Sequence, residues 1–177
     1  MFLENGFYIA IGSQGEGKTA MITYLMLVNS NFGNDRKIYS NYTLSVPHTK
    51  ITLESIIKQL DDDPSYYNNS IILMDEIHLY LDSRDFMSKN NRKIQTFFSQ
   101  LRKRNILLLG TSQYIMHVDV RVRRHAKMVF DMRNLSNGMY GCTISKIDGY
   151  YTNAINDITL NLSVAYDYYD TYEVIID

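Results

Sequence analysis

The eight residues GSQGEGKT, at positions 12 to 19, restrict the possible folds of this chain more than any other part of its sequence. Three of the nine glycines fall within these positions, and a lysine and a threonine follow them. The segment matches G-x-x-x-x-G-K-[ST] and stands between the apolar run FYIAI and the helix-compatible run AMITYLMLV. A strand, such a loop and a helix in this order surround phosphate oxygens with backbone N–H groups. The segment therefore predicts a triphosphate-binding loop between a buried strand and a mostly buried helix.

The residue types in this loop predict separate roles. Lys18 is expected to reach the β- and γ-phosphates, and Thr19 is expected to offer its hydroxyl to Mg²⁺. ATP is preferred over GTP because the sequence contains no N-K-x-D guanine-recognition motif. The candidate nucleotide contacts are Gly12, Ser13, Gln14, Gly15, Glu16, Gly17, Lys18, Thr19 and Ala20.

Two adjacent acids, Asp75 and Glu76, follow the apolar run SIILM. In phosphate-loop proteins an acid at the end of a neighbouring strand helps to hold Mg²⁺, which is the role predicted for Asp75. Glu76 is predicted to polarise the attacking water as a general base. The simpler alternative is that two acids end a strand at its solvated edge.

A third apolar strand, NILLLGTSQ, ends in polar residues. Gln113 is the candidate to sense the γ-phosphate or to position water, and Thr111 and Ser112 are alternatives. Parallel strands present their carboxyl ends to one crevice, so Lys18, Asp75 and Gln113 are expected to converge there.

The remaining pattern predicts how these strands are joined. Residues 36–44 read as a strand, the segment TLESIIKQL as a helix capped by Thr52, and residues 88–103 as an amphipathic helix. The runs AKMVFDMRN and MYGCTISKI read as two strands joined at Asn137-Gly138, which is a strong hairpin signal. The expected fold is a single α/β domain over residues 1–177, with a mostly parallel central sheet and a C-terminal antiparallel hairpin.

Composition limits the cellular setting. A single cysteine, Cys142, indicates a reducing compartment, with the cytosol as the expected location. The N-terminus has no basic region before an apolar stretch, and the apolar runs are too short to cross a bilayer, so the sequence indicates a soluble protein without a membrane span.

Positive charge is concentrated in one segment. Residues 84–127 contain eleven Lys and Arg but only two acids, although the whole chain has a net charge of −1. Such a block is either a solvated face or a contact for a polyanion such as DNA. It also supplies candidates for a catalytic arginine that reaches a neighbouring subunit, namely Arg84, Arg102, Arg104, Arg121, Arg123 and Arg124. Arg84 and Arg104 are singled out among them, and Arg104 is expected just before the third strand, on the side of the sheet away from its own crevice.

His78, in the segment DEIH, invites comparison with helicases of the DExH type. Those helicases build their site from two RecA-like lobes, whereas 177 residues hold only one. A packed histidine is the simpler interpretation, and coupling of the nucleotide to a neighbouring helix is the alternative.

Four segments together, GSQGEGKT, SIILMDEIH, RKRNILLLGTSQ and YYDTYEVI, resemble the FtsK–HerA superfamily of P-loop motor ATPases. The chain looks most like the genome-packaging ATPases of membrane-containing and archaeal viruses and the related Zot-like ATPases of filamentous phages. The resemblance implies that Lys18 and Thr19 form the Walker A pair, that Asp75 and Glu76 form the Walker B pair, and that Gln113 is the sensor. It also implies the P-loop NTPase fold of the RecA-like type, a three-layer sandwich. A hexameric ring around DNA, with an arginine from the next subunit completing each site, is implied as well.

These observations favour an ATP-driven motor that moves double-stranded DNA into a viral capsid, with a capsid or portal protein as partner and possible association with the virion. Zot-like relatives carry a transmembrane segment after the ATPase core. Because the sequence shows no such segment, packaging is favoured over membrane-bound assembly. Three alternatives stay open: a Zot-like phage assembly ATPase, a small P-loop kinase, and a nucleotide-gated assembly protein with negligible hydrolysis.

Overall fold

The computed structural model describes residues 1–30, 36–80, 89–148, 151–170 and 173. It contains eight strands and four α-helices within these ranges. In chain order they are β1 (Gly6–Ile11), α1 (Lys18–Ser30), β2 (Lys37–Ser40), β3 (Thr49–Lys50), α2 (Leu53–Asp62), β4 (Ser70–Met74), α3 (Lys89–Gln100), β5 (Ile106–Ser112), α4 (Val120–Arg123), β6 (Ala126–Ser136), β7 (Met139–Asp148) and β8 (Tyr151–Asn161). Short 3₁₀ turns cover Ile77–Leu79, Ile115–His117 and Ser163–Tyr168.

All eight strands form one sheet in the order β3-β2-β4-β5-β1-β6-β7-β8. The pairs from β3 to β6 are parallel, whereas β6, β7 and β8 pair antiparallel. The predicted mostly parallel sheet with an antiparallel C-terminal addition is therefore confirmed. The addition is larger than the predicted hairpin because β8 extends it by a third strand.

Helices cover both faces of the parallel part of the sheet. On one face, α1 buries Met21 and Leu25 against the strands. On the other face, Ile56 of α2 and Phe97 and Phe98 of α3 pack against β1, β4 and β5. Burial of each such side chain contributes roughly 1.5–3 kcal/mol. Because both faces are covered, β4 and β5 are buried along their whole length, as their continuous apolar sequences predict.

Local sequence signals account for several element ends. Thr52 caps α2 as predicted: its Oγ1 accepts a hydrogen bond from the N–H of Ser55, and the Ser55 hydroxyl accepts one from the N–H of Thr52. Asn137 and Gly138 both have positive φ in the turn between β6 and β7, which confirms the predicted hairpin. Among the helices that the structure describes, none has the length and apolar character needed to span a bilayer.

Candidate active site

The carboxyl ends of β1, β4 and β5 lie side by side at one edge of the sheet. The register pairs Ile11 with Ser112 across β1 and β5, and it pairs Met74 with Gly110 across β4 and β5. The phosphate-loop motif follows Ile11 directly, and the two acids follow Met74 directly. Parallel pairing therefore brings the three segments singled out in the sequence to the same place.

The loop between β1 and α1 is held in shape by its own polar groups. The carboxylate of Glu16 accepts a hydrogen bond from the N–H of Ser13 at 2.6 Å, and the ammonium of Lys18 donates to the carbonyl of Ser13 at 3.1 Å. Lys18 is 6% exposed. The N–H of Met21 donates to the carbonyl of Gly17 at 2.8 Å, which begins α1 directly after the loop. The loop thus lies at a helix N-terminus, where the helix dipole favours an anion.

Gly17 is required both by backbone conformation and by space. Its φ is +81°, and a Cβ at this position would lie 2.5 Å from a ring carbon of Tyr140. Gly15 has a similar φ of +79°, but a Cβ there would meet nothing within 4 Å. At Gly17 the loop therefore packs against the Tyr140 ring of β7. At Gly15 the space that a side chain would occupy is empty.

Asp75 is the centre of a buried hydrogen-bond network. The hydroxyl of Thr19 donates to Asp75 Oδ2 at 3.0 Å, and the hydroxyl of Thr111 donates to Oδ1. The side-chain amide of Asn41 pairs with the Asp75 backbone, donating at 2.9 Å and accepting at 2.8 Å. Burial raises the pKa of the Asp75 carboxyl, although the two hydroxyls and the nearby ammonium of Lys18 oppose the shift.

Glu76 adopts a backbone conformation that residues with side chains rarely use. Its φ is +50°, and its N–H donates to Thr111 Oγ1 at 2.8 Å. Such conformations cost about 1–3 kcal/mol and cluster at functional sites. Burial first and the charge of Asp75 second raise the pKa of the Glu76 carboxyl, whereas Lys18 lowers it. Its Oε2 lies 3.3 Å from His78 Nδ1.

The end of β5 reaches the same site through three consecutive residues. Gln113 is exposed, and its carbonyl accepts a hydrogen bond from the N–H of Gly12 at 3.3 Å, so the residue lies beside the phosphate loop. Thr111 and Ser112, the alternatives to Gln113, are fully buried. Thr111 binds Asp75 and Glu76, while Ser112 contacts His78.

Arg104 does not lie in this crevice. Arg104 precedes β5, at the opposite edge of the sheet, as the sequence predicts. There its guanidinium donates to Gln100 Oε1 at 3.0 Å and to the carbonyl of Pro64 at 2.6 Å. Arg84 lies outside the described residues. Arg123, another cationic candidate, is 4% exposed and donates to the carbonyl of Ile115 at 3.4 Å, so it packs inside its own chain.

A cavity of about 270 Å³ adjoins the loop. Three tyrosines that sequence reasoning did not assign to the site form one of its walls: Tyr140 of β7, Tyr166 of the last 3₁₀ turn, and Tyr169. The hydroxyls of Tyr140 and Tyr166 are hydrogen-bonded to each other. The cavity is lined by Gln14, Gly15, Gly17, Lys18, Thr19, Glu76, Tyr140, Tyr166 and Tyr169.

Two features of the site were missed for different reasons. Asn41 was assigned to the interior of a strand over 36–44, but β2 ends at Ser40 and the Asn41 amide holds the Asp75 backbone instead. The polar residues Ser40 and Asn41, which follow the apolar residues of β2, are the sequence signal for the end of this strand. The tyrosine wall has no local signal, because it forms only when the C-terminal segment returns across α1.

Solved structures of similar fold were found, although no protein-family model matches the sequence and no curated protein is similar to it in sequence. The N-terminal domain of zonular occludens toxin from Neisseria meningitidis aligns with a TM-score of 0.68 and 18% identity, over 95% of this chain and 100% of that one. The genome packaging NTPase of Sulfolobus turreted icosahedral virus 2 aligns with a TM-score of 0.61 and 10% identity, over 89% and 98%. A KaiC-like protein from Pyrococcus horikoshii aligns with a TM-score of 0.55 and 11% identity, over 89% and 86%. The chain has the α/β fold that these proteins share.

Proposed function

We propose that this chain is an ATP-hydrolysing motor that translocates double-stranded DNA, and that it serves to package a viral genome. The observation that carries the proposal is the convergence of Lys18, Thr19 and Glu76 on one cavity beside a helix N-terminus. Asp75 lies directly behind this cavity, where its Oδ2 accepts a hydrogen bond from Thr19. The similarity in fold to a genome packaging NTPase supports the packaging role in this proposal.

Binding of the triphosphate is assigned to the loop and to α1. Lys18 would turn from the carbonyl of Ser13 toward the β- and γ-phosphates, and the N–H groups at the start of α1 would donate to the phosphate oxygens. The tyrosine wall offers aromatic faces and hydroxyls to the rest of the nucleotide. ATP is the proposed nucleotide.

The donor set at Thr19 and Asp75 fits Mg²⁺. A hydroxyl and a carboxylate oxygen lie 3.0 Å apart beside the phosphate loop, and Mg²⁺ prefers such oxygen ligands together with phosphates and waters. The described part of the chain holds no cluster of three or more His, Cys, Asp or Glu that forms a metal site by itself. Thr19 and Asp75 would therefore hold the ion together with the nucleotide. When bound, Mg²⁺ offsets the charge of the phosphates.

Glu76 is the proposed general base. Its raised pKa makes the carboxylate a better proton acceptor than an exposed glutamate, and its position on the cavity wall allows it to face a water beside the γ-phosphate. Gln113 is the proposed sensor, because its backbone already bonds to the first glycine of the loop. The positive groups of the site offset the charge that develops in the transition state.

DNA would be bound through the basic segment. Arg121 and Arg124 are exposed on and just after α4, which follows the segment that leaves the active site after β5. Contacts with backbone phosphates are independent of base sequence, and they weaken as salt rises. A homo-oligomeric ring, proposed to be a hexamer, would surround the duplex and bring an arginine such as Arg104 or Arg84 to the neighbouring site. The proposed setting is the host cytoplasm, with a capsid or portal partner.

The experiment that tests this proposal compares steady-state ATP hydrolysis of the wild type and Glu76→Gln, with and without duplex DNA. We expect hydrolysis that requires Mg²⁺ and is stimulated by DNA. We expect Glu76→Gln to lose about 100-fold or more in kcat while its Kd for ATP changes less than about threefold, because the base contributes about 10²–10⁴-fold to catalysis.

Glu54→Gln is the matched control for this test, because Glu54 is an exposed glutamate on α2, outside the cavity. It should leave both kcat and the Kd for ATP unchanged. Hydrolysis by Glu76→Gln at the wild-type rate would overturn the proposed base, and a wild type that hydrolyses ATP without any response to DNA would overturn the motor.

A phage assembly ATPase is the second candidate. The TM-score of 0.68 with the toxin domain exceeds the 0.61 with the packaging NTPase, and the sequence motifs also resemble Zot-like ATPases. Both candidates require the same hydrolytic site. Hydrolysis that duplex DNA does not stimulate, but that is lost in Glu76→Gln, would favour this second function.

A further inference from the structure

The segment that follows β8 returns across α1 toward the active site. Its described part, residues 163–170 and Glu173, is here named the C-terminal strap. Ala165 of the strap is fully buried and belongs to the same apolar cluster as Met21 and Leu25 of α1. The strap is therefore packed on the helix that begins at the phosphate loop.

Backbone contacts join the strap to the segment between β2 and β3. Tyr169 forms an antiparallel bridge with Leu44, and the N–H of Ser45 donates to the carbonyl of Tyr168 at 2.9 Å. The ring of Tyr169 also meets the ring of the buried Tyr42 edge-on, with the two centroids 6.1 Å apart. These contacts fix the position of Tyr169, whose side chain lines the cavity.

A carboxylate holds the end of the strap. Glu173 accepts a hydrogen bond from the N–H of Thr43 at 2.5 Å and one from the Thr43 hydroxyl at 3.0 Å, and its Oε1 lies 2.6 Å from the ammonium of Lys50. The side chain of Glu173 is 19% exposed, whereas that of Lys50 is 57% exposed. Hydrogen bonds to a largely buried carboxylate are stronger than an exposed ion pair, so the two bonds from Thr43 carry most of this contact. Glu173 itself does not line the cavity.

The strap brings two aromatic rings to the cavity beside the phosphate loop. The rings of Tyr166 and Tyr169 have their centroids 6.2 Å apart and are inclined by 37°. Both side chains are half-buried, and they line the same cavity as Lys18 and Thr19. Aromatic side chains bind nucleobases by stacking on their faces. A triphosphate bound at Lys18 would therefore extend its nucleoside toward these rings.

We infer that Tyr166 and Tyr169 form the subsite for the nucleoside, and that Glu173 is a positioning residue that holds these rings in place through the strap. The inference rests on the proposed function for the binding of a nucleoside triphosphate at the phosphate loop. It adds that two parts of the chain divide this ligand: the loop binds the triphosphate without help from the strap, whereas the nucleoside requires the strap.

Two probes separate these parts in isothermal titrations with Mg²⁺: β,γ-imido-ATP carries the nucleoside, and inorganic tripolyphosphate lacks it. Tyr166→Leu should weaken the Kd for β,γ-imido-ATP about tenfold, because the stacking face is lost. It should leave the Kd for tripolyphosphate within about twofold of the wild-type value. Tyr166→Phe keeps the ring and should bind both probes like the wild type.

Glu173→Ala tests the positioning role. It should weaken the Kd for β,γ-imido-ATP about fivefold, the equivalent of one hydrogen bond of ordinary strength, and leave the Kd for tripolyphosphate unchanged. Glu4→Ala is the matched control, because Glu4 forms a comparable ion pair with Lys127 at 2.8 Å and precedes β1, at the opposite edge of the sheet. Glu4→Ala should leave both Kd values unchanged. A general loss of folding would weaken both probes alike, so the ratio of the two Kd values identifies the strap.

The binding outcomes distinguish this inference from the proposed function. An unchanged Kd for β,γ-imido-ATP in Tyr166→Leu would overturn the nucleoside subsite. Equal Kd changes for the two probes in Glu173→Ala, or no change for either, would overturn its positioning role. Each of these results would leave the motor standing, because the loop would still bind the triphosphate. A wild type that binds neither probe would overturn the proposed function and the subsite together.

Amide hydrogen exchange, measured by NMR on the full chain, tests the strap from the other direction. Coupling between two sites is reciprocal, so saturating β,γ-imido-ATP should slow exchange of the Ser45 N–H, which bonds to Tyr168, by about fivefold or more. Tripolyphosphate should leave this rate unchanged. The N–H of Asn68, which bonds to the Ser65 carbonyl at 2.9 Å, is the control and should respond to neither probe. Equal slowing at Ser45 by both probes would overturn the inference.

Discussion

The parallel and antiparallel parts of the sheet differ in how tightly they are enclosed. Every residue of β4 and β5 is buried, whereas nearly all described residues of β8 are exposed or only half-buried. The proposed catalytic groups follow the enclosed strands, and the antiparallel extension contributes the Tyr140 ring to the cavity wall. Chemistry that needs fixed distances lies where helices cover both faces of the sheet, because close packing on both sides prevents the strands from shifting.

The largest expected difference between the two regions is in stability. Leu108, in the middle of β5, is fully buried, and Leu108→Ala should lower the free energy of unfolding by about 3–4 kcal/mol because it leaves a cavity that the flanking strands cannot fill. Ile155→Ala in β8, where the side chain is 54% exposed, should change it by less than about 0.5 kcal/mol. Urea unfolding of both variants measures this contrast. Equal losses in the free energy of unfolding would mean that β8 is packed as tightly as β5.

The contact between the two regions is tested at two glycines of the same loop. Gly17→Ala should destabilise the chain by about 3 kcal/mol, because the new methyl group meets the Tyr140 ring in addition to the strain at positive φ. Gly15→Ala carries the strain alone and should cost about 1 kcal/mol. The double variant Gly17→Ala with Tyr140→Ala should recover part of the difference. If both single variants lost the same stability, the hairpin would not support the loop.

A third comparison concerns nucleotide binding. Lys18→Ala should weaken the Kd for ATP about 100-fold, which corresponds to about 2.7 kcal/mol, because a charge-assisted contact with the phosphates is lost. Lys146→Ala, an exposed lysine on β7 in the antiparallel part, is the matched control and should leave the Kd unchanged. Isothermal titration with a slowly hydrolysed ATP analogue measures both. An unchanged Kd in Lys18→Ala would place the nucleotide elsewhere.

A smaller effect is expected from the half-buried carboxyl group of Glu76. Because its folded pKa is raised, protonation favours the folded state: this contribution is complete below the unfolded pKa and is lost as the pH rises through the folded value. Glu76→Gln should therefore have a higher Tm than the wild type at pH 8, and the difference should shrink toward pH 4. Thermal unfolding without nucleotide measures it, with Glu54→Gln as the control. A difference that is independent of pH would exclude the carboxyl as its source.

The smallest effect is expected on the open face of the antiparallel strands. Arg133 lies 3.4 Å from Asp157, but these side chains are 59% and 72% exposed. Solvent and salt screen such pairs, so Arg133→Ala should change the free energy of unfolding by no more than about 0.5 kcal/mol in urea unfolding. A loss above 1 kcal/mol would show that this part of the sheet is more strongly coupled than its exposure indicates.

Much of the fold was predictable because its signals are local. The phosphate-loop motif between a strand and a helix, the helix cap at Thr52 and the turn at Asn137-Gly138 each depend on a few adjacent residues, and the structure confirms all three elements. β8 was missed because its sequence, YTNAINDITLN, has few apolar residues and no clear alternation. Its strand character comes from ten pairings with β7.

The candidate site was predictable in part. Lys18, Asp75 and Gln113 were predicted to converge at the carboxyl ends of the strands, and the register brings the three segments that carry them to that place. Their roles in binding ATP and Mg²⁺ and in sensing the γ-phosphate stay predictions. Thr111 was named as an alternative to Gln113, but its bonds to Asp75 and Glu76 depend on which strand lies beside β4. The contacts from Glu76 through His78 to His117 join two segments that are far apart in the sequence, so no sequence pattern describes them.

The sequence by itself determined which groups can meet a triphosphate: a glycine-rich loop, a lysine and a hydroxyl within eight residues, and a pair of acids at the end of an apolar strand. These are short-range properties, because composition and spacing alone decide where the backbone can turn and which side chains end a strand. Only the tertiary structure decided that the Tyr140 ring packs against the loop at Gly17. It also decided that Asn41 and Thr111 hold the two acids by hydrogen bonds. Those contacts join residues far apart in the chain, and they exist because burial of both sheet faces brings the strand ends into a fixed register.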